Sequence, residues 1–275
     1  MAKRLMVLAV CFTFLVGATV WADTINTSGQ WNTGKVANDN TSGPNAFWDH
    51  VSSDGGRCNV GFVLGGTMGT CNNINVLGTF PNKPLEFLSS NGNSNAPVGF
   101  FVSPGGIIQT TYQASIAGFS GDHNQFHDVF GWALVGDNTQ HPLFSSFNDT
   151  PNQTVQFTPG GNFRYYIAVY NMLNQLQWIH FSDGVGDTPN TSSGGNFFAL
   201  FSQDPSSPNG PPSSLSNYWV GSEDAKSLGS GDFDYQDMLV QFSSVPEAPE
   251  PTSLVLFGSG LIGMSVAFRT RIART

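Results

Sequence analysis

The chain has 275 residues, among them 32 Gly, 16 Pro and 23 Phe, and its formal net charge at pH 7 is −9. Between Asp23 and Ala248, 5 Lys or Arg stand against 18 Asp or Glu. A segment this acidic repels polyanions and attracts divalent cations, so nucleic acid is excluded as a partner.

The N-terminal segment has the features of a secretory signal peptide. Lys3 and Arg4 precede an apolar run over residues 5–20, and the sequence around Ala22 predicts cleavage after that residue. A transmembrane anchor is the alternative, but the run is short and no stop-transfer charge follows it. Cleavage leaves about 250 residues, enough for one large or two small domains. Because no linker interrupts residues 23–244, we predict one domain there.

Two cysteines remain once Cys11 is lost with the signal peptide. Cys58 and Cys71 form an even pair in a protein bound for an oxidising compartment, which predicts a disulfide. Closing that loop would stabilise the fold by roughly 3 kcal/mol on the chain-entropy model. A metal site is the alternative, but it would need further Cys or His residues nearby.

The body of the chain has the composition of an all-β protein. Gly, Asn, Ser, Thr and Pro are abundant, whereas the strong helix formers are sparse, and short apolar stretches recur between turn signals. We therefore predict an antiparallel β-sandwich or jelly roll whose core is rich in Phe. Residues 23–53 are expected to form an edge element or to pack loosely. Strands are predicted at 98–102, 107–112, 129–135, 154–158, 163–170, 177–181, 196–201 and 237–242.

Catalytic motifs are not evident in the chain, so we predict a protein that is not an enzyme. No G-x-S-x-G elbow, phosphate loop or unpaired cysteine nucleophile is present. Two other classes stay open as alternatives. A polysaccharide hydrolase would draw its carboxylates from Glu86, Glu223 and the many Asp residues, and a carbohydrate-binding face would use tryptophans. In a β-sandwich such aromatic residues more often belong to the core. The candidate tryptophans are Trp31, Trp48, Trp132, Trp178 and Trp219.

The most specific internal stretch is the acidic segment 221–242, "GSEDAKSLGSGDFDYQDMLVQF". On a strand Asp232 and Asp234 face one way, and Asp237 joins them only if the chain bends or bulges. Like charges this close repel unless a cation neutralises them, and carboxylate oxygens suit Ca²⁺. We therefore predict a Ca²⁺ site, with a solvated acidic turn as the alternative. Its candidate ligands are Glu223, Asp224, Asp232, Asp234 and Asp237.

A short echo of that segment occurs at residues 120–136, where Asp128-Val129 parallels Asp237-Met238. The similarity is too short to define a repeat. His123 and His127 lie in the same stretch at a spacing that would suit zinc on a helix. The stretch has the pattern of a turn and a strand, so we predict solvent-facing or structural histidines.

The C-terminal segment has four ordered features: Pro249-Glu250-Pro251, then Thr252-Ser253, a glycine-interrupted apolar run, and a cluster of Arg269, Arg271 and Arg274. The apolar run predicts a transmembrane helix at about residues 252–268, shorter than the about 20 residues of a typical span. The arginines would mark its cytoplasmic side.

These features resemble the PEP-CTERM protein-sorting signal of Gram-negative bacteria. The resemblance implies that an exosortase, an integral-membrane cysteine protease-transpeptidase, cleaves near Pro249-Glu250-Pro251. The precursor would be held transiently in the inner membrane, and the product would pass to the cell surface or the extracellular polysaccharide matrix. The expected role is structural or adhesive, with residues 245–275 as the sorting tail.

The body of the chain is similar, over a shorter pattern, to a β-sandwich domain of unknown function in bacterial surface proteins. Its signature is E-D…G-G-D-x-D-Y-N-D followed by apolar residues, and Gln236 replaces the usual Asn here. The similarity implies a Ca²⁺-associated role for the matching positions, which are Glu223, Asp224, Asp232, Asp234, Tyr235 and Asp237.

Overall fold

The structure is a computed structural model in which every element with described bounds is a β-strand. Val60 and Leu64 are also described, and both are buried with helical backbone. The described residues are 23–34, 60, 64, 70–71, 74–75, 85–90, 96–114, 126–146, 152–188, 197–202, 217–226, 235, 237–245 and 260.

The first sheet is antiparallel and is organised around one long strand, β11 (Phe163–Asn171). Its sequence, FRYYIAVYN, is dense in the aromatic and β-branched residues that favour a half-buried pleated surface. The other strands of this sheet are β1 (Thr24–Thr27), β6 (Phe100–Ser103), β8 (Phe126–Leu134), β9 (His141–Ser145) and β12 (Leu176–Phe181). Their order is β1-β6-β11-β8-β9, and β12 also pairs with β11.

The second sheet has seven antiparallel strands in the order β10-β7-β15-β14-β13-β5-β2. Its central strands are β14 (Asn217–Ser222) and β15 (Met238–Val245). The others are β2 (Gln30–Gly34), β5 (Leu85–Ser89), β7 (Ile107–Ala114), β10 (Thr154–Phe157) and β13 (Phe198–Ser202). A separate short pair joins β3 (Thr70–Cys71) to β4 (Ile74–Asn75).

The main core contains aromatic side chains from both sheets. Phe130 of β8 lies 6.1 Å from Phe242 of β15, and Tyr165 of β11 lies 4.4 Å from Phe242, measured between ring centroids. The hydroxyls of Tyr165 and Tyr218 are 2.6 Å apart. Aromatic rings bring large apolar areas into such a core. The contacts place one face of each sheet against the other, which supports the predicted sandwich.

The opposite face of β11 carries a buried arginine. Arg164 donates two hydrogen bonds to the Asp183 carboxylate at 2.9 and 3.2 Å, and its guanidinium lies 3.9 Å from the centre of the Phe181 ring. It also donates to the Val185 carbonyl and to the Asn138 side chain. The planar fork of Arg suits several acceptors at once, so one side chain fixes two turns against the sheet.

The all-β prediction is confirmed, and each of the eight predicted strands corresponds to an observed one. Residues 23–53 were expected to form an edge element or to pack loosely. In the described part of that segment, residues 23–34, strands β1 and β2 lie at the edges of the two sheets. Strands β3, β4, β5, β9 and β14 were not predicted. They are short, and polar residues or Pro lie within them or at their ends.

Several predictions concern residues outside the described ranges. The signal peptide, Cys58 and the apolar run at about 252–268 lie there, and Cys71 is described only as part of the backbone of β3. The disulfide and the transmembrane helix therefore stay predictions. Within the described part of the chain, no helix is long and apolar enough to cross a membrane.

Candidate metal centre

Two acidic residues follow directly after strand β14. Glu223 and Asp224 are both buried, at 2% and 7% exposure, which is rare for carboxylates without a compensating partner. The Glu223 backbone amide donates to the carbonyl of Phe197 at 2.9 Å, so the main chain here continues alongside the start of β13. The position of the pair is therefore fixed by the second sheet.

Side chains of β12, in the first sheet, hold the next backbone carbonyls. The indole Nε1 of Trp178 donates to the carbonyl of Asp224 at 2.6 Å. The imidazole Nε2 of His180 lies 2.9 Å from the carbonyl of Ala225, and its Nδ1 lies 3.4 Å from Asp187. These contacts restrict the motion of the loop that carries Glu223 and Asp224.

Asp237 approaches the same place from the chain entering β15. The backbone amide of Asp224 donates to Oδ2 of Asp237 at 2.7 Å. Two residues earlier, Tyr235 has a φ of 56°, a left-handed conformation that few non-glycine residues adopt. A bend was expected before Asp237 because its parity differs from that of Asp232 and Asp234, and the conformation of Tyr235 supplies one.

The three carboxylates are close enough to share one ion. Glu223, Asp224 and Asp237 each offer an oxygen, and these atoms lie within 4.8 Å of one another. Two oxygens bound to the same Ca²⁺ at about 2.4 Å lie at most about 4.8 Å apart. Of the five predicted ligands, the structure thus brings three together, while Asp232 and Asp234 lie outside the described residues.

A fourth carboxylate, Asp128 of β8, lies beside this group and was not among the predicted ligands. Burial and, to a smaller extent, the negative charge of Asp237 raise the pKa of Asp128 to about 8, although hydrogen bonding with Asp224 acts in the opposite direction. Burial also raises the pKa of Tyr235, and the nearby charge of Glu223 adds to that effect. The site is therefore a poorly hydrated region in which several carboxyl groups lie close together.

Two signals in the sequence pointed toward Asp128. Asp128-Val129 echoes Asp237-Met238, and Asp128 shares the parity of the core residues Phe130 and Trp132 on one strand. An acidic residue whose side chain shares a face with core residues is costly to bury unless a partner compensates it. Neither signal tells which distant segment supplies that partner.

The other candidate residues have different environments. His127 is half-buried and stacks on Tyr170, as expected for a structural histidine, whereas His123 lies outside the described residues. Trp132 and Trp219 are buried at 9% and 2% exposure. Trp31 and Trp178 are half-buried, Trp48 is not described, and for Glu86 only the backbone is described. The sorting residues Pro249, Glu250, Pro251, Arg269, Arg271 and Arg274 also lie outside the described part.

The described fold and site define an all-β protein of two antiparallel sheets with a cluster of buried carboxylates. Comparison with protein families adds that the PEP-CTERM protein-sorting motif matches residues 245–272. The chain therefore carries a PEP-CTERM protein-sorting motif at its C-terminal end, as the tail predicted. The motif implies an exported protein of the cell envelope that an exosortase processes. Neither the curated proteins nor the solved structures gave a match.

Proposed function

We propose that the protein is a non-enzymatic structural or adhesive component of the cell surface or extracellular matrix, and that residues 23–244 form a Ca²⁺-stabilised β-sandwich. The observation that carries this proposal is the burial of Glu223, Asp224 and Asp237 with their oxygens within 4.8 Å of one another. Carboxylates placed in this way repel one another and have lost their hydration, so a bound cation would stabilise the fold.

Calcium fits this donor set better than the other common divalent ions. All of the donors are hard carboxylate oxygens, whereas zinc prefers Cys and His. Magnesium keeps several waters in a strict octahedron, which a buried cluster of carboxylates accommodates poorly. Asp232 and Asp234 are proposed to add ligands from the preceding turn.

The same burial argues against the two alternative functions. A polysaccharide hydrolase needs a pair of carboxylates flanking an open cleft that admits the sugar chain. The carboxylates that come together in the described residues are buried instead. A sugar-binding face needs exposed aromatic rings, and two of the five candidate tryptophans, Trp132 and Trp219, are buried, while Trp31 and Trp178 are half-buried.

Delivery would proceed through both ends of the chain. The signal peptide is proposed to direct export with cleavage after Ala22, and a helix at about 252–268 would hold the precursor in the inner membrane. An exosortase would then cleave near Pro249-Glu250-Pro251, releasing the protein toward the surface polysaccharide of a Gram-negative cell. A Cys58–Cys71 disulfide would form on export.

Processing can be tested in a host that carries an exosortase. Mass spectrometry of the surface fraction should find C-terminal peptides ending near Pro249-Glu250-Pro251 rather than at Thr275. Glu250→Ala should leave the chain uncleaved. The matched change Glu247→Ala, in the preceding Val245-Pro246-Glu247 that partly repeats the motif, should still allow cleavage. A wild-type surface protein that ends at Thr275 would contradict exosortase processing.

The role of the body can be tested with polysaccharide from the same host. The purified protein should co-sediment with the matrix without shortening the polymer, which size-exclusion chromatography of the polysaccharide would follow. A loss of polymer length that depends on the protein would favour the hydrolase. Binding to defined glycans on an array, lost with a chelator, would favour a carbohydrate-binding module.

A further inference from the structure

The turn between β11 and β12 carries an exposed apolar tip, which consists of Met172, Leu173 and Leu176. These side chains are 48%, 77% and 43% exposed. In the described part of the chain, large apolar side chains are exposed at only two other positions, Val135 and Val185. Single exposed apolar residues are ordinary on a protein surface, whereas contiguous apolar patches are typical of interaction sites. The tip is therefore a candidate for contact with another molecule.

Hydrogen bonds inside the turn hold the tip in one conformation. Oδ1 of Asn171 accepts from the backbone amides of Leu173 and Gln175, both at 3.0 Å. The amide of Asn174 donates to the Asn171 carbonyl at 2.8 Å, and Nδ2 of Asn171 donates to Oε1 of Gln175 at 3.0 Å. Because these three amides already have acceptors, burying the tip leaves none of them unpaired and requires little further ordering of the chain.

The two other exposed apolar residues line a groove on the same protein. The groove has a volume of about 860 Å³, and its described lining includes Val135 and Val185. Val98 and Phe101, both half-buried, add further apolar surface to its wall. Pockets that hold small ligands have volumes of about 300–1,000 Å³, so a groove of this size has room for a few apolar side chains.

The tip and the groove lie at opposite ends of the first sheet. β11 runs antiparallel to β8, so Asn171 at the end of β11 lies opposite Phe126 at the start of β8. The tip follows Asn171, whereas Val135 of the groove follows the other end of β8. A contact between different surfaces of two copies is head-to-tail, and a contact between opposite ends repeats as an open filament.

The tip and the groove lack net charge on an otherwise acidic protein. Residues 165–182, which include the tip, contain no Asp, Glu, Lys or Arg. Among the described residues that line the groove, the charged side chain is Asp183, which pairs with Arg164 at 2.9 Å. Like-charge repulsion between copies is therefore weakest where these two surfaces meet. One chain supplies both a convex and a concave apolar surface, which favours a second copy over a lipid surface as the partner of the tip.

We propose that the tip of one molecule docks in the groove of a second copy, so that the protein assembles head to tail. This inference rests on the proposed structural role and deepens it, because such an assembly lets a matrix component extend beyond one molecule. Three side chains bury less than the about 1,200–2,000 Å² of a stable interface. Each contact is therefore weak, and assembly requires a high local concentration of the protein.

Sedimentation velocity at up to about 1 mM protein tests the contact in the range of weak association. The chain is recovered from the surface of the exosortase host and measured without detergent, which would compete for the tip. Leu173→Ser should weaken association by about tenfold or more, because it removes the most exposed apolar side chain of the tip. Val185→Asn should have the same effect from the groove. Gln153→Ser, at an exposed polar position before β10, is the matched control and should associate as the wild type does.

Mixing the two variants separates a head-to-tail contact from other contacts. Leu173→Ser keeps an intact groove and Val185→Asn keeps an intact tip, so each alone should be monomeric at concentrations where the wild type associates. An equal mixture should form dimers and no larger species. Both substitutions are at exposed positions, so neither should change the stability of the fold by more than about 0.5 kcal/mol.

Three results would overturn the head-to-tail contact. Association of Leu173→Ser as strong as that of the wild type would show that the tip takes no part, and any association through the tail would give this result, since the tail is the same in all variants. A loss confined to Leu173→Ser would show that the tip meets a surface other than the groove. A wild type that stays monomeric would overturn assembly altogether, while co-sedimentation with polysaccharide tests the structural role separately.

Discussion

Two tyrosine hydroxyls meet in the centre of the core and connect the sheets through a hydrogen-bonded chain. The hydroxyls of Tyr165 and Tyr218 are 2.6 Å apart, and Tyr218 donates to Oδ2 of Asp23 at 3.1 Å. Since Tyr218 uses its proton on Asp23, Tyr165 donates to Tyr218. Burial raises the pKa of both phenols well above the ordinary value, so both remain protonated donors.

The direction of this chain predicts unequal effects for two otherwise matched substitutions. Tyr165→Phe removes one bond and should lower the free energy of unfolding by about 1 kcal/mol. Tyr218→Phe removes both bonds and takes a donor from a buried carboxylate, so the loss should be about 2–3 kcal/mol. Urea denaturation of both variants measures the difference. Equal losses, or a greater loss for Tyr165→Phe, would contradict the inferred order of donors.

At the scale of elements, strand β14 depends on one glycine to admit the segment that leads to Asp237. A Cβ atom at Gly221 would lie 2.5 Å from the backbone carbonyl oxygen of Tyr235 and 3.2 Å from a methyl group of Val60. Contacts of this kind force the backbone to move. The approach of Tyr235 to β14 therefore requires a residue without a side chain.

Gly221→Ala should destabilise the protein by about 1–3 kcal/mol and weaken Ca²⁺ binding, because the displaced carbonyl is only two residues from Asp237. Thermal unfolding with and without Ca²⁺ reports both effects. Gly161→Ala is the matched control, since its Cβ would meet only Leu134, at 3.8 Å, and should change the stability by no more than about 0.5 kcal/mol. If Ca²⁺ raises the unfolding temperature of Gly221→Ala as much as that of the wild type, the approach of Tyr235 to β14 does not position Asp237.

The sequence predicted those elements whose pattern is local. Strand β11 is evident from its aromatic and β-branched residues, whereas β9 contains Pro142 and β14 lies between polar stretches. The same limit applies to the site. Asp224 and Asp237 belong to one acidic segment and were found together, but Asp128 is distant in the chain and joins them only through the packing of β8 against the second sheet. The alternation of side chains along a strand predicts which face of the sheet a residue lies on. It does not predict which residues of the other sheet pack against it.

At the scale of the whole molecule, carboxylates connect the two sheets near opposite ends of β14. Near its start, Asp23, just before β1 of the first sheet, accepts from Tyr218 and from the backbone amide of Gly105 at 3.0 Å. Just beyond its end, Asp128 of the first sheet meets Asp224. The first connection uses neutral donors, whereas the second lies beside the proposed Ca²⁺ site. The two ends should therefore respond differently to chelation.

The connection at Asp23 also bears on where the signal peptide ends. Cleavage after Ala22 would make Asp23 the first residue of the exported protein, and its side chain is fully buried. We therefore expect N-terminal peptides of the exported protein to begin at Asp23. A chain that begins at Thr24 should be less stable by about 2–3 kcal/mol, because the Gly105 amide and the Tyr218 hydroxyl both lose a buried acceptor. Urea denaturation of the two forms in EDTA, which removes any contribution from the cation site, measures this loss. Equal stability would show that Asp23 does not contribute to joining the sheets, and a mature protein that begins beyond Asp23 would place the cleavage site elsewhere.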